Sequence, residues 1–158
     1  MATPFQVALV TPERALFEGE AEEVSMRTEI GEIAFLAHHE DLVGASGVTA
    51  VRITTAGAGE ADSDRAVVRA AIDGGTVHVH PEGLLIFAPV AELADHIDVE
   101  RARRALERAE QRLASLGEGR QESAAGEGAS ADAEIAEAEF AARRARARLE
   151  AAGSELPA

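Results

Sequence analysis

The apolar residues of this chain change their spacing once, and the change falls near Val90. Before it they alternate. Phe5, Val7 and Leu9 interleave with Gln6, Ala8 and Val10, Val24 and Met26 with Ser25 and Arg27, and Val77 and Val79 with His78 and His80. A period of two sends one set of side chains to one face of a strand, which describes a half-buried sheet. Further apolar runs at residues 15–17, 32–35, 48–54, 67–72 and 84–88 recur at the spacing of an all-β sandwich. Asp73-Gly74-Gly75 and His80-Pro81-Glu82-Gly83 read as turns, because glycine reaches positive φ freely and proline fixes φ. Residues 1–90 are therefore expected to form a β-sandwich of about ten strands in two packed sheets.

Beyond Val90 the period becomes helical. Ala102, Leu106, Ala109, Leu113 and Leu116 step by four, three, four and three, which lays one apolar stripe along a helix. Asp98 is placed to cap its first turn and Gly117 to end it. Residues 117–131 mix Gly, Ser, Ala and Glu without a period and read as a flexible connector. A second helix is expected from Asp132, with Ile135, Ala138, Ala142, Ala145, Leu149 and Ala152 as its stripe and Gly153 beyond it. Residues 91–158 are thus expected to form an antiparallel helical hairpin. Its seam is mostly alanine, which buries little apolar area, so the hairpin is expected to be marginal alone and able to part for a better partner.

Composition narrows the function. The 158 residues suffice for one ordinary domain and an appendage, and with 3% aromatics and neither Trp nor Tyr the core must be Val, Ile, Leu and Ala. A formal charge of -14 opposes nucleic-acid phosphates and anionic lipid surfaces, so a basic protein partner is the better expectation. There is no Cys, which excludes disulfides, thiolate catalysis and Cys-ligated zinc. Met1-Ala2-Thr3-Pro4 leads straight into a strand-like run without signal-peptide features, and no apolar stretch is long enough to span a bilayer. The expectation is a protein inside the cell whose membrane association comes through partners.

One segment points to a family. Gly31-Glu32-Ile33-Ala34-Phe35-Leu36-Ala37-His38-His39-Glu40-Asp41-Leu42-Val43 resembles a characteristic stretch of the epsilon subunits of bacterial F-type ATP synthases. It keeps Gly31, Glu32, His39 and Leu42, and has Ala34, Ala37, His38 and Asp41 where that family usually has Gly, Pro, Gly and Pro. A second match runs from Gly74-Gly75 through Val77-His78-Val79 and Leu85-Ile86-Phe87-Ala88 to Glu92 and Ile97-Asp98-Val99-Glu100-Arg101-Ala102. The last six residues resemble the Ile/Leu-Asp-x-x-Arg-Ala motif that lines the ATP site of some epsilon subunits.

The resemblance implies a non-catalytic central-stalk subunit. Its sandwich would grip the gamma subunit and the c-ring, and its hairpin would regulate ATP hydrolysis at the cytoplasmic face of the cell membrane. No cofactor is required, and a regulatory ATP would be held by Glu92, Asp98, Arg101, Arg108, Arg144 and Arg148. The turn Thr28-Glu29-Ile30-Gly31-Glu32 would face the c-ring, and His39 and Leu42 the gamma subunit. Arg143, Arg144, Arg146 and Arg148 would meet acidic segments of the beta subunits, next to alpha. Plainer readings stand beside these: Asp98 as a helix cap, and the arginines as a solvated C-terminal face favoured by the helix dipole. Two other functions remain open. His78 and His80 on one strand face suggest a cupin-like metal-binding sandwich, although Glu82 follows too soon for that pattern, and a free-standing ATP-sensing module would differ only in its partners.

Overall fold

The computed structural model of the chain describes residues 3–28, 31–57, 66–122 and 128–154. Strands β1 (Phe5–Val10), β2 (Ala15–Thr28), β3 (Gly31–Phe35), β4 (Leu42–Thr55), β5 (Val67–His80), β6 (Gly83–Phe87) and β7 (Ala91–Leu93) come first. A 3-10 turn at Ala94–His96 leads to helices α1 (Val99–Glu122) and α2 (Gly128–Ala151). The described strands number seven rather than about ten. They form one sheet of order β1-β6-β5-β4-β2-β3 in which β1 also pairs with β2, so five strands close into a barrel-like ring, with β7 beside β5. All pairings are antiparallel except β1 with β6.

The overcount has a physical cause. β2, β4 and β5 are each 14 residues long and carry the chain from one layer to the other without a turn. Asp73-Gly74-Gly75, expected as a turn, lies inside β5. Gly74 and Gly75 have φ of 86° and 148°, and a Cβ on Gly75 would lie 2.2 Å from the Phe87 carbonyl oxygen. Only glycine fits there. The bend also reverses the phase of the alternation. Ala70 and Ile72 face the core before it and Val77 and Val79 after it, an odd separation, while Asp73 lies between with its backbone N–H donating to the Val90 carbonyl at 3.0 Å. The second expected turn is found: His80 and Gly83 close the β5–β6 hairpin.

The core is aliphatic, as the composition requires. Leu9, Val24, Val51, Ile53, Ile72, Val79 and Ile86 are fully enclosed, and Phe5 and Phe35 are its buried aromatics. The sheet runs past the expected boundary at 90, because Ala70, Ala71 and Ile72 pair with Leu93, Glu92 and Ala91.

Both helices are longer than their signals suggest. α1 continues through Gly117 to Glu122, and α2 begins at Gly128 rather than at Asp132. Gly117 and Gly119 each cost about 1 kcal/mol, too little to end a helix among good helix formers. Of the expected connector 117–131, residues 123–127 lie outside the described residues. Other end signals hold. The Asp98 carboxylate accepts the Arg101 N–H at 2.9 Å, and Gly153, with φ 70°, ends α2 as Ser154 N–H bonds to the Leu149 carbonyl.

Two apolar seams hold the hairpin. Ala102, Leu106 and Ala109 of α1 meet Ala142, Ala145 and Leu149 of α2. A second stripe on α2, Ala147 and Ala151, packs on Ala50, Ala71 and Ile97 against the outside of the sandwich. The hairpin is therefore closed on the sheet, and α2 is the layer between.

Two stability predictions follow from particular positions. His38 sits at φ 62°, a left-handed conformation that costs a non-glycine residue about 1–2 kcal/mol. Offset by the added chain entropy of glycine, His38→Gly is expected to raise the thermal midpoint by about 2 °C in a calorimetric scan, and a lower midpoint would refute the strain. Leu149 is fully buried, so Leu149→Ala should cost about 2–4 kcal/mol. In hydrogen exchange the loss should appear in α1 and α2 while the protection of β4 and β5 core amides holds.

Candidate functional site

The Ile97-to-Ala102 motif opens α1, and the structure gives most of its residues a packing or capping role. Ile97 is buried in the seam between α2 and the sheet, Asp98 caps the helix, and Ala102 is buried between the helices. Arg101 is the exception. Its backbone takes the cap, but among the described residues its guanidinium has no ion pair, and it lines a groove of about 430 Å³ between the hairpin and the sheet edge.

That groove gathers the whole expected nucleotide set. Glu92 comes from β7, Asp98 from the cap, Arg101 and Arg108 from two turns of α1, and Arg144 and Arg148 from one turn of α2. His96 joins them, and Ala102, Ala105, Ala141 and Ala145 supply a floor of small side chains. Helical geometry explains the convergence: residues seven apart on α1, and four apart on α2, share a face. Arg108, like Arg101, has no ion pair among the described residues.

The α2 arginines are engaged. The Arg144 Nε lies 2.7 Å from Asp73 Oδ2 in an ion pair, and Arg148 Nε donates to Glu92 Oε2 at 2.9 Å with its Nη1 3.8 Å from Asp73 Oδ1. Asp73, 9% exposed, was not singled out by the sequence pattern, which reads it as part of a turn. The signal that finds it is the strand register: Ala71 lies opposite Glu92 on β7, so Asp73, two residues on, rises on the same face under α2.

Other expected sites divide. Arg143, Arg144, Arg146 and Arg148 do not form one patch in the closed hairpin. A helix turns about 100° per residue, which sets 143 and 146 on a different flank from 144 and 148. Arg143 pairs with Glu139 at 3.5 Å, Arg146 with Glu110 at 2.8 Å, and both line a second groove with Arg27 and Thr28. Thr28 and Gly31 close the β2–β3 hairpin through a 2.9 Å hydrogen bond, with Glu32 exposed on β3, while Glu29 and Ile30 lie outside the described residues. His39 rests its ring against Phe35 with centroids 5.6 Å apart, and Leu42 is exposed. His78 and His80 do share an outer face, with ring centroids 5.9 Å apart, but among the described residues no third ligand joins them in a metal-holding group.

Comparison with known proteins bears on the family and the fold. The family model "ATP synthase, Delta/Epsilon chain, beta-sandwich domain" matches residues 4–94, and "ATP synthase, Delta/Epsilon chain, long alpha-helix domain" matches residues 95–153. The ATP synthase epsilon chain of Bacillus pumilus is 35% identical over 94% of this chain and 96% of its own length. That of Halalkalibacterium halodurans is 38% identical over 93% and 96%. A chain in the Euglena gracilis mitochondrial ATP synthase structure (OSCP/F1/c-ring, rotational state 1) superposes with a TM-score of 0.68 at 22% identity, over 94% of this chain and 81% of that one, a likeness of fold. With both halves matched in order and relatives aligned end to end, this chain belongs to the family of bacterial F-type ATP synthase epsilon chains, which are accessory, non-catalytic subunits.

Proposed function

We propose that this chain is the rotor and regulatory subunit of a proton-translocating F-type ATP synthase, and that its hairpin is a brake on ATP hydrolysis governed by nucleotide. The observation that carries the regulatory reading is a groove in which arginines of both helices converge. Its volume is that of a small-ligand site. Guanidinium groups pair bidentately with phosphate, and among the described residues Arg101 and Arg108 have no ion pair that competes. Bound ATP would supply the anionic charge that bridges the two helices. Arg101 and Arg108 would hold phosphate from the α1 side and Arg144 and Arg148 from the α2 side, so a ligand touching both is complete only in the closed hairpin. Glu92 and Asp98 cannot favourably meet phosphate. Asp98 stays as cap, and Glu92 orients Arg148. At a hundredfold excess over Kd such a ligand adds about 2.7 kcal/mol to the closed form.

The sandwich supplies the gripping surface. Strand register brings Val43 beside His78 and His78 beside Leu85, with Phe87 next along β6, all on the outer face. Val43 is 70% exposed, Leu85 39% and Phe87 42%, an apolar patch on an otherwise charged chain. This patch fits the gamma subunit, to which the resemblance also assigns His39 and Leu42, and the β2–β3 hairpin fits the c-ring. Opening of the hairpin would release Arg144 and Arg148 to join Arg143 and Arg146 against acidic beta-subunit segments. Among the described residues no helix is long and apolar enough to cross a membrane, which suits a peripheral place at the cytoplasmic face, held through the complex.

Isothermal calorimetry on the full chain tests the regulatory half: millimolar ATP should release heat, and Arg101→Ala or Arg144→Ala should each weaken binding about tenfold or more. No heat from the parent chain would leave residues 97–102 as a helix start only. For the rotor half, a Val43→Glu, Leu85→Glu double variant should retain its circular dichroism and lose co-purification with gamma by at least about tenfold. Undiminished recovery would move the gamma surface elsewhere.

A further inference from the structure

Asp73 is a carboxylate 9% exposed on the outer face of β5, and its recorded side-chain partners, Arg144 and Arg148, both belong to α2. It does not line the nucleotide-type groove, whereas both arginines do. It stands behind them. Arg144 uses its Nε on Asp73, which leaves its terminal nitrogens for the groove, and Arg148 is steadied by Asp73, by Glu92 and by its own Nη1 bond to the Arg144 carbonyl at 3.4 Å. The apolar part of this docking is small, since Ala147 and Ala151 meet Ala50, Ala71 and Ile97. A largely enclosed carboxylate with two cationic partners on one helix is therefore a directional tie between α2 and the sheet.

We propose that Asp73 is a positioning residue that docks α2 on the sandwich without any ligand, by holding Arg144 and Arg148 where they line the groove. Its link to regulation rests on the nucleotide reading above, but the docking itself does not. The hairpin then has a closed state that precedes nucleotide, and a ligand entering the groove finds both guanidiniums already oriented. Removal of the Asp73 charge leaves Arg148 with Glu92 and Arg144 with none, so the closed state loses its register before it loses its alanine seam. Because the arginines are part-exposed, the expected loss is smaller than for a fully buried pair, about tenfold in the closed-to-open ratio.

The chain has no Cys, so dyes can be placed at will. Full-length protein carrying Arg69→Cys on β5 and Ala136→Cys on α2, both exposed, is read by single-molecule energy transfer with no nucleotide present. The parent should be mainly in the high-transfer state. Asp73→Asn should move the ratio toward low transfer about tenfold, Asp73→Glu less, and added salt should act on the parent in the same direction as Asp73→Asn. In an Arg144→Ala, Arg148→Ala background the Asp73→Asn change should vanish, which a general weakening of β5 would not produce. An unchanged distribution on Asp73→Asn, or a shift of the same size in the double-arginine background, overturns the proposal. Should Asp73→Asn fail to fold by circular dichroism, the double-arginine variant decides alone: it must open, and a closed distribution refutes the docking. Absence of ATP binding in calorimetry would sink the nucleotide reading and leave these outcomes as they stand.

Discussion

The carbonyl oxygen of Phe87 comes so near residue 75 that a Cβ there would lie 2.2 Å from it. That approach is possible only for glycine, and the rest of the architecture follows from it. With Gly74 beside it at φ 86°, β5 bends and changes phase without breaking, so one strand serves both layers and the ring closes with few turns. Ordinary alternation before the bend puts Ile72 in the core and its neighbour Asp73 outside, under α2, and the bend returns Val77 and Val79 to the core beyond it. Strand alternation in the sandwich thereby fixes the position of the charge that meets the hairpin.

The hairpin is built on the opposite principle. Leu106 and Leu149 are the large side chains in its buried seam, and the rest of that seam is alanine. Each alanine methyl adds on the order of 1 kcal/mol when buried, against side chains of Leu that add two or three times as much. α2 divides even this modest apolar surface between two neighbours, with Ala142, Ala145 and Leu149 turned to α1 and Ala147 and Ala151 to the sheet. Small residues on both sides let the backbones come close, and they also make either interface easy to leave. Such a layer belongs to the low-stability end of a fold, where regulatory segments are found.

How much of this is legible without coordinates differs by region. The change of period near Val90, the caps at Asp98 and Gly153 and the inner part of the α1 and α2 stripes all depend on local spacing, and the structure bears them out, while Leu113, Leu116 and Ile135 are only half-buried and lie outside the seam. The six expected residues that line the groove are legible as a set only through the family resemblance, since nothing local in Glu92 or Arg108 says that they converge; the structure brings all six together. The strand count, the helix ends and Asp73 were not legible. A Gly-Gly pair inside a long strand has the same local chemistry as a turn, and only the register with β4 and β6 separates the two. The ends of α1 and α2 escape local reading for a related reason: glycine and serine lower helix propensity by less than neighbouring residues restore.

An alanine-rich helix raises a problem of register that an Ile or Leu seam does not. Alanines at 138, 142 and 145 on one face of α2, and at 147 and 151 on the other, repeat at helical spacing, so a slide of one turn would again set methyl against methyl at little cost. Charges cannot slide in that way. Moving α2 by one turn, about 5.4 Å, would take Arg144 from Asp73 and Arg148 from Glu92 and leave a carboxylate facing apolar side chains. The ion network therefore adds less to net stability than to choice of register, the best-attested use of buried polar groups. It also explains why the same two arginines suit a switch. A contact that is specific but not strong can be surrendered to another anion, so α2 can be held in one place on the sheet and still leave it.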